Sequence, residues 1–194
     1  MEAAGELFVR NGYAGTTIQA IAERAGVAVQ TVYAVYGNKR QLLGELIESA
    51  ITGADEGVAH HRQAEAQRVA DEPDARRRAE LDAALSRSIT ERVAPIARVA
   101  AEAAPSDPEL AATMEEVKAA RRKEMVESAM ILAGPDGLRT DLEDAAATLY
   151  VLYSPAVAEM LRGDYGWTPE HFERWLARMM LSTVIADRTS SDRP

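Results

Sequence analysis

The chain has 194 residues, of which 47% are hydrophobic and 27% are charged, and its formal net charge is −9. This composition is typical of a globular protein with a sizeable core, and it excludes collagen-like and disordered chains. The sequence contains no cysteine, which excludes a disulfide framework, a thiolate metal site and a cysteine nucleophile. No apolar run approaches the roughly 18 residues that span a bilayer. We therefore expect a cytoplasmic protein that does not contact a membrane.

The negative charge limits how the protein can bind nucleic acid, because contacts to phosphate groups require clustered Lys and Arg. The first fifty residues contain five acidic residues and four basic ones, namely Arg10, Arg24, Lys39 and Arg40. That segment is nearly neutral, so most of the acidic charge lies in the remainder of the chain. Any contact with DNA is therefore expected to be local, within the first fifty residues.

Apolar residues recur at helical spacing along the chain, and no stretch alternates with period two, so the sequence predicts an all-α protein. In the first fifty residues a polar cap or a glycine marks each helix end. Gly12 is expected to end the first helix, Thr17 to open the second and Gly26 to close it. The third is expected from about Ala28 to Val35, and the fourth from Asn38 to about residue 66 or beyond.

Further along the chain, proline and polar caps predict the remaining helix boundaries. A helix is expected to start at Asp74, after a break at residues 72–74, and Pro95 is expected to begin a separate helix. Three starts combine a polar cap with a proline at the first helical position, which favours helix initiation: Asp107-Pro108, Ser154-Pro155 and Thr168-Pro169. Thr140 with Glu143 forms a capping-box pattern at a further start, and residues 134–137 form a predicted turn.

The second and third predicted helices are joined by a tight glycine turn, which is the arrangement of a helix-turn-helix. Four residues of the third helix are expected to face the interior: Ala28, Val32, Val35 and most of Tyr36. The opposite face is expected to reach the major groove, where Gln30 suits an adenine edge and Val29 a thymine methyl group. The complete set of predicted DNA-binding residues is Thr17, Gln19, Val29, Gln30, Thr31, Tyr33, Tyr36 and Lys39.

At these positions the sequence resembles the TetR family of bacterial transcriptional regulators. The motifs that carry the resemblance are Ala4-Gly5-Glu6-Leu7-Phe8, Asn11-Gly12-Tyr13, Thr16-Thr17-Ile18, Ala25-Gly26-Val27, Thr31-Val32-Tyr33 and Lys39-Arg40-Gln41-Leu42-Leu43. The resemblance implies a three-helix DNA-binding head over residues 1–50 and a larger helical body over residues 51–194 for effector binding and dimerisation. It further implies a homodimer, acting as a repressor, that binds a palindromic double-stranded DNA operator and is released by a small-molecule effector. The competing hypothesis is a helical small-molecule-binding or interaction module that has lost DNA binding.

Two groups of residues in the body are candidates for these roles. Flexible methionines and tyrosines suit an adaptable ligand cavity, although ordinary core packing is the favoured interpretation; they are Met114, Met125, Tyr150 and Tyr153. The last predicted helix is apolar around more than one face, which indicates a partner helix. By resemblance, it and the helix from about Asp141 to Tyr153 would form a dimer interface, with contacts from Phe172, Trp175, Leu176, Met179 and Thr183.

Nothing in the sequence indicates an enzyme, because no phosphate-binding loop, nucleophile elbow or metal-ligand spacing occurs. The histidines at positions 60, 61 and 171 do not have the spacing of a metal site, so we expect neither a metal nor a cofactor. Residues 76–78 are three consecutive arginines. In an acidic body they are interpreted as a solvated face rather than as a phosphate-binding patch.

Overall fold

The computed structural model describes residues 1–52 and 56–187, with the side chains of residues 56–62 left out. This part of the chain forms ten α-helices with short connections: α1 Glu2–Gly15, α2 Ile18–Ala25, α3 Val29–Tyr36, α4 Lys39–Thr52, α5 Glu56–Asp71, α6 Ala75–Ala103, α7 Pro108–Ala133, α8 Leu142–Leu152, α9 Pro155–Tyr165 and α10 Pro169–Thr183. Within the described ranges the only β pairing is an isolated bridge between Leu138 and Ile185. The predicted all-α class is confirmed.

The helix ends of α1 and α2 lie at or near the residues that the sequence predicted as caps. The backbone of α1 leaves the helical conformation at Gly12 and then completes one further turn, so residues 13–15 are helical where a loop was predicted. Thr17 caps α2 by accepting a hydrogen bond from the amide of Ala20 at 3.1 Å. Gly26 ends α2 with φ 68° and ψ 30°, a left-handed conformation that glycine adopts without steric cost. The tight turn of the helix-turn-helix therefore depends on this glycine.

The longest helix of the body, α6, runs without interruption through Pro95. The prediction of a separate helix at Pro95 is wrong. A proline inside a helix removes one backbone hydrogen bond and crowds the preceding turn. Here Val93 and Ala94 before it, and Ile96 and Val99 after it, are all buried. Packing of the flanking turns on both sides thus outweighs the local cost of the proline.

One other boundary differs from the sequence prediction. The cap of α8 is Asp141, whose carboxylate accepts from the amide of Asp144 at 2.8 Å, and not Thr140. The predicted continuation of the fourth helix to about residue 66 crosses residues 53–55, which lie outside the described residues; α4 is described to Thr52 and α5 from Glu56. The three predicted cap-proline starts are found where expected, at α7, α9 and α10.

The head and the body share a continuous core rather than meeting at a linker. Leu42 and Leu43 of α4 belong to the same buried cluster as Val99 of α6 and Leu110 of α7. Arg92 of α6 also donates a hydrogen bond to the carbonyl of Ala50 at 3.2 Å. The predicted domain boundary at residue 50 thus falls inside α4, a helix that packs on both parts.

Arg78 is fully buried, contrary to the interpretation of residues 76–78 as a solvated face. Its guanidinium donates to the carbonyls of Glu72, Leu132 and Ala133 at 2.7–2.9 Å and to the carboxylate of Asp136 at 2.6 Å. It therefore fastens the start of α6 to the end of α7. Arg76 and Arg77 are exposed as predicted; helical geometry turns the third arginine inward.

Candidate nucleic-acid interface and ligand cavity

The exposed face of α3 carries most of the predicted base-contacting residues. Gln30, Thr31 and Tyr33 are exposed, Val32 is buried in the head core, and Val29 and Tyr36 are half-buried against it. Val29 thus contributes partly to packing. The expectation that Ala28 and Val35 face the interior is wrong, because Ala28 lies before the first turn and Val35 is 63% exposed. The outward surface of α3 is consequently broader and more apolar than the sequence suggested.

The amino end of α2 forms the second part of this surface. Because Thr17 is the cap, Gln19 is not required for a capping box, and its side chain is exposed. The Gln19 amide donates to Glu23 on the next turn at 3.0 Å. The residue before the cap, Thr16, is buried, and its hydroxyl donates to the carbonyls of Leu7 and Gly12. The free amides at the start of α2 are suited to a phosphate group.

Lys39, predicted to contact phosphate, is engaged within the head. Its ammonium group donates to the carbonyls of Tyr13 and Thr16 at 2.9 and 3.0 Å and lies 4.2 Å from the centre of the Tyr13 ring. Burial lowers the pKa of Lys39, while the charge of Asp107 acts in the opposite direction. Lys39 therefore joins the start of α4 to the α1–α2 connection, and this role was not evident from the sequence.

Two more of the four basic residues in the head also form ion pairs within the protein. Arg24 pairs with Glu6 across α1 and α2. Arg40 at the start of α4 pairs with Asp107, at 3.5 Å, and with Glu109 at the start of α7. The positive charge of the head is thus largely used to connect its own helices and to attach α4 to the body.

The body contains a cavity of about 760 Å³, within the range of small-molecule sites. All four residues predicted for ligand binding lie on its wall. The wall is mainly apolar, with contributions from α6, α7 and α8, and it also includes Ile47 and Ile51 of α4. A molecule in the cavity would therefore touch α4, the helix that follows α3.

One end of the cavity carries a half-buried polar pair whose carboxylate sequence reasoning missed. The hydroxyl of Tyr153, at the end of α8, donates a short hydrogen bond to the carboxylate of Asp82 on α6. Ser86 lies one turn further along α6 and hydrogen bonds to the Tyr153 oxygen. Burial raises the pKa of Asp82 to about 6, although the Tyr153 hydrogen bond lowers it. The signal in the sequence was an aspartate on the same helical face as Leu85 and Ile89.

Arg121 of α7 lies against Tyr150 on the wall of the cavity. It donates to the carbonyl of Tyr150 at 2.7 Å, and its guanidinium lies 4.2 Å from the centre of the Tyr150 ring. Burial lowers the pKa of Arg121, and interactions with Tyr150 oppose this shift. Sequence reasoning did not identify Arg121 as part of the cavity wall either.

The residues predicted for a dimer interface on α10 fall into two groups. Phe172 and Leu176 are buried in the core of the protomer, so they leave no surface for a partner and are removed from the predicted interface. Trp175 and Met179 are half-buried and Thr183 is exposed. Trp175 and Met179 also pack against that core, but they and Thr183 keep surface outside it, so the three remain a prediction.

The described residues contain no cluster of three or more His, Asp or Glu side chains placed to hold a metal ion. His171 stacks on Trp167 at a ring distance of 4.2 Å, and His60 and His61 lie outside the described side chains. None of the described helices is long and apolar enough to cross a membrane.

Comparison with known proteins identifies the family of the amino-terminal helices. Residues 1–46 match the model of the family described as bacterial regulatory proteins, tetR family. The head is a TetR-family helix-turn-helix domain. The resemblance stated from the motifs is thereby confirmed for this part of the chain. None of the curated proteins matches the sequence.

Solved structures extend the TetR-like fold to the rest of the chain. A putative TetR-family regulator from Mesorhizobium loti has a TM-score of 0.68 at 22% identity, covering 93% of this chain and 91% of that chain. NalD, the secondary repressor of the MexAB-OprM multidrug efflux pump in Pseudomonas aeruginosa, has a TM-score of 0.67 at 19% identity, covering 96% and 94%. The TetR-family regulator PfmR from Thermus thermophilus has a TM-score of 0.61 at 19% identity, covering 94% and 96%. The chain thus has the fold of a TetR-family transcriptional regulator.

Proposed function

We propose that the protein is a ligand-responsive DNA-binding transcriptional regulator, a homodimeric repressor that leaves a palindromic operator when a small molecule fills its body cavity. The observation that carries this proposal is that the cavity wall includes α4, the helix that connects the head to the body. The helix that follows the DNA-contacting helix α3 therefore also forms part of the ligand cavity.

The exposed polar side chains of α3 supply the base contacts in this proposal. Gln30 pairs with an adenine edge, and Thr31 and the Val29 methyl groups contact neighbouring bases. Phosphate contacts come from neutral donors, namely the hydroxyls of Tyr33, Tyr36 and Thr17 and the first amides of α2. Since Arg24, Lys39 and Arg40 are engaged within the protein, few counterions are released. We therefore expect operator affinity to depend only shallowly on salt concentration.

In this proposal, the position of α4 explains how a bound ligand releases the protein from its operator. Ile47 and Ile51 contact the cavity on one side, while Leu43 of the same helix is buried in the head core. A ligand that pushes on α4 would move the head relative to α6. In a homodimer that uses Trp175, Met179 and Thr183 of α10, this changes the separation of the two recognition helices from the one DNA turn, about 34–36 Å, that adjacent half-sites require.

The test is fluorescence anisotropy of the full chain on the duplex upstream of its own gene, at several salt concentrations. Gln30→Ala is expected to lower affinity for the preferred site by about 1–3 kcal/mol and to change the sequence preference. Tyr33→Phe is expected to lower the affinity for every DNA sequence by the same factor, because it removes a phosphate contact. Gln63→Ala makes the same change as the first variant at an exposed position of α5 and should have no effect.

A second candidate function is a helical binding module without an operator, and one observation favours it. The basic residues that most often contact phosphate are here engaged in internal bonds. Absence of any sequence-specific duplex affinity, with the cavity still binding small molecules, would establish the module and refute the regulator.

A further inference from the structure

The charged groups on the wall of the cavity are unequal in number. Among the described residues, four acidic ones line it, Asp82, Glu115, Glu124 and Glu127, against two basic ones, Lys118 and Arg121. The whole chain also carries a net charge of −9, so both the described wall and the chain as a whole have an excess of negative charge. Such an excess attracts cations and repels anions.

The two basic residues on the wall already have partners. Lys118 pairs with Glu115 at 2.7 Å, and Arg121 is bonded to the carbonyl and the ring of Tyr150. A ligand anion would have to compete with these contacts. Neither basic residue on the described part of the wall is therefore free to meet an acidic ligand.

Asp82 is placed differently from the other three acids. It lies inside the bundle beside Tyr153, and among the described residues it forms no ion pair with Lys or Arg. Arg78, one turn earlier on α6, is committed to Asp136 and to three carbonyls. The Tyr153 hydroxyl occupies one oxygen of the Asp82 carboxylate, Oδ2, which leaves Oδ1 for a further donor. Asp82 is half-buried; a carboxylate shielded from water without a cation costs free energy, and a positively charged ligand reduces that cost.

We propose that the effector is an organic cation, a protonated amine whose N–H group donates to Asp82 and whose apolar body lies against the hydrophobic wall of the cavity. This inference rests on the proposed function, since it names the chemical class of the effector. Tyr153 acts as a positioning residue, because its hydrogen bond orients the carboxylate without contacting the amine. Ile47, Ile51, Leu85 and Met114 provide apolar wall for the body of the ligand.

The experiment compares three probes that share one apolar body: phenylbutylamine, phenylbutanol and phenylbutyrate. Isothermal titration of the full chain near neutral pH is expected to show the amine binding at least about tenfold more tightly than the alcohol, and the carboxylate most weakly. Asp82→Asn should reduce the affinity for the amine about ten- to a hundredfold and leave that for the alcohol unchanged.

Two variants serve as controls. Glu116→Gln removes one carboxylate from an exposed position of α7 that does not line the cavity, and should change the affinity for the amine by less than about twofold. Tyr153→Phe retains the carboxylate and should retain the preference for the amine. Equal affinities for amine and alcohol, tightest binding of the carboxylate, no saturable binding of the amine, or an unchanged affinity in Asp82→Asn would each overturn the proposal.

The same titrations, repeated with operator DNA, separate this inference from the proposed function. Asp82-dependent binding of the amine that leaves DNA affinity unchanged supports the cation site and refutes regulation through it. Sequence-specific DNA binding by a chain that shows no preference for the amine supports the regulator and refutes the cation site.

Discussion

Asp82→Asn tests whether a charge shielded from water in the ligand-free protein destabilises the fold. Its carboxyl has a pKa of about 6 in the folded chain, compared with an ordinary value of 3.8. The folded state therefore holds the proton more tightly than the unfolded state does, so this group contributes stability at low pH that is lost as pH rises from about 4 to about 6. At about 1.4 kcal/mol for each pH unit of difference, the loss at neutral pH is about 3 kcal/mol.

An asparagine oxygen can still accept the hydrogen bond from Tyr153, but the residue carries no charge. We therefore expect Asp82→Asn to be more stable than the natural chain at pH 7, by up to about 3 kcal/mol. The gain should shrink steadily towards pH 4. Urea unfolding followed by circular dichroism across this pH range measures the difference directly.

Glu115→Gln is the matched control, because its exposed carboxylate pairs with Lys118 and has a lowered pKa, mainly through the Lys118 hydrogen bond. It should not be more stable than the natural chain at neutral pH. A loss of stability in Asp82→Asn that does not vary with pH would refute the reasoning, since it would mean that the carboxylate is a net contributor to the fold. A stabilised variant that no longer binds the amine would instead indicate an acid retained for function at the expense of stability.

Three further substitutions test the packing that holds the two sites in place, each measured by urea unfolding. Arg78→Ala should cost about 3 kcal/mol or more, because buried carbonyls of α7 lose their donor, whereas the same change at exposed Arg77 should cost less than about 0.5 kcal/mol. Gly134→Ala should cost at least about 2 kcal/mol, because φ is 51° and the added Cβ would lie 2.7 Å from the Arg78 guanidinium carbon; an unchanged midpoint would contradict that contact. Thr16→Val should cost about 1–2 kcal/mol through loss of its buried hydroxyl bonds, and a neutral result would show that these carbonyls find other donors.

Local signals in the sequence were sufficient for the fold class and for most helix ends. Thr17 and Gly26 act through their own side chain and backbone conformation, so their positions alone predicted the α2 boundaries and the helix-turn-helix. The cap-proline pairs predicted the starts of α7, α9 and α10 for the same reason. Helical periodicity also placed Gln30, Thr31 and Tyr33 on the exposed face of α3, because the interior position of Val32 fixes the rotation of so short a helix.

Contacts between segments distant in the sequence decided the rest. Whether Arg78 is solvated depends on the end of α7, more than fifty residues away, and whether Lys39 is free for DNA depends on the carbonyls of Tyr13 and Thr16. The continuity of α6 through Pro95 likewise depends on partners from other helices. The pairing of Asp82 with Tyr153 joins α6 to α8 across the cavity. Periodicity identifies which side of a helix is apolar, but the partner that a charged group meets there is set only when the helices pack, because its energy depends on distance and on exclusion of water.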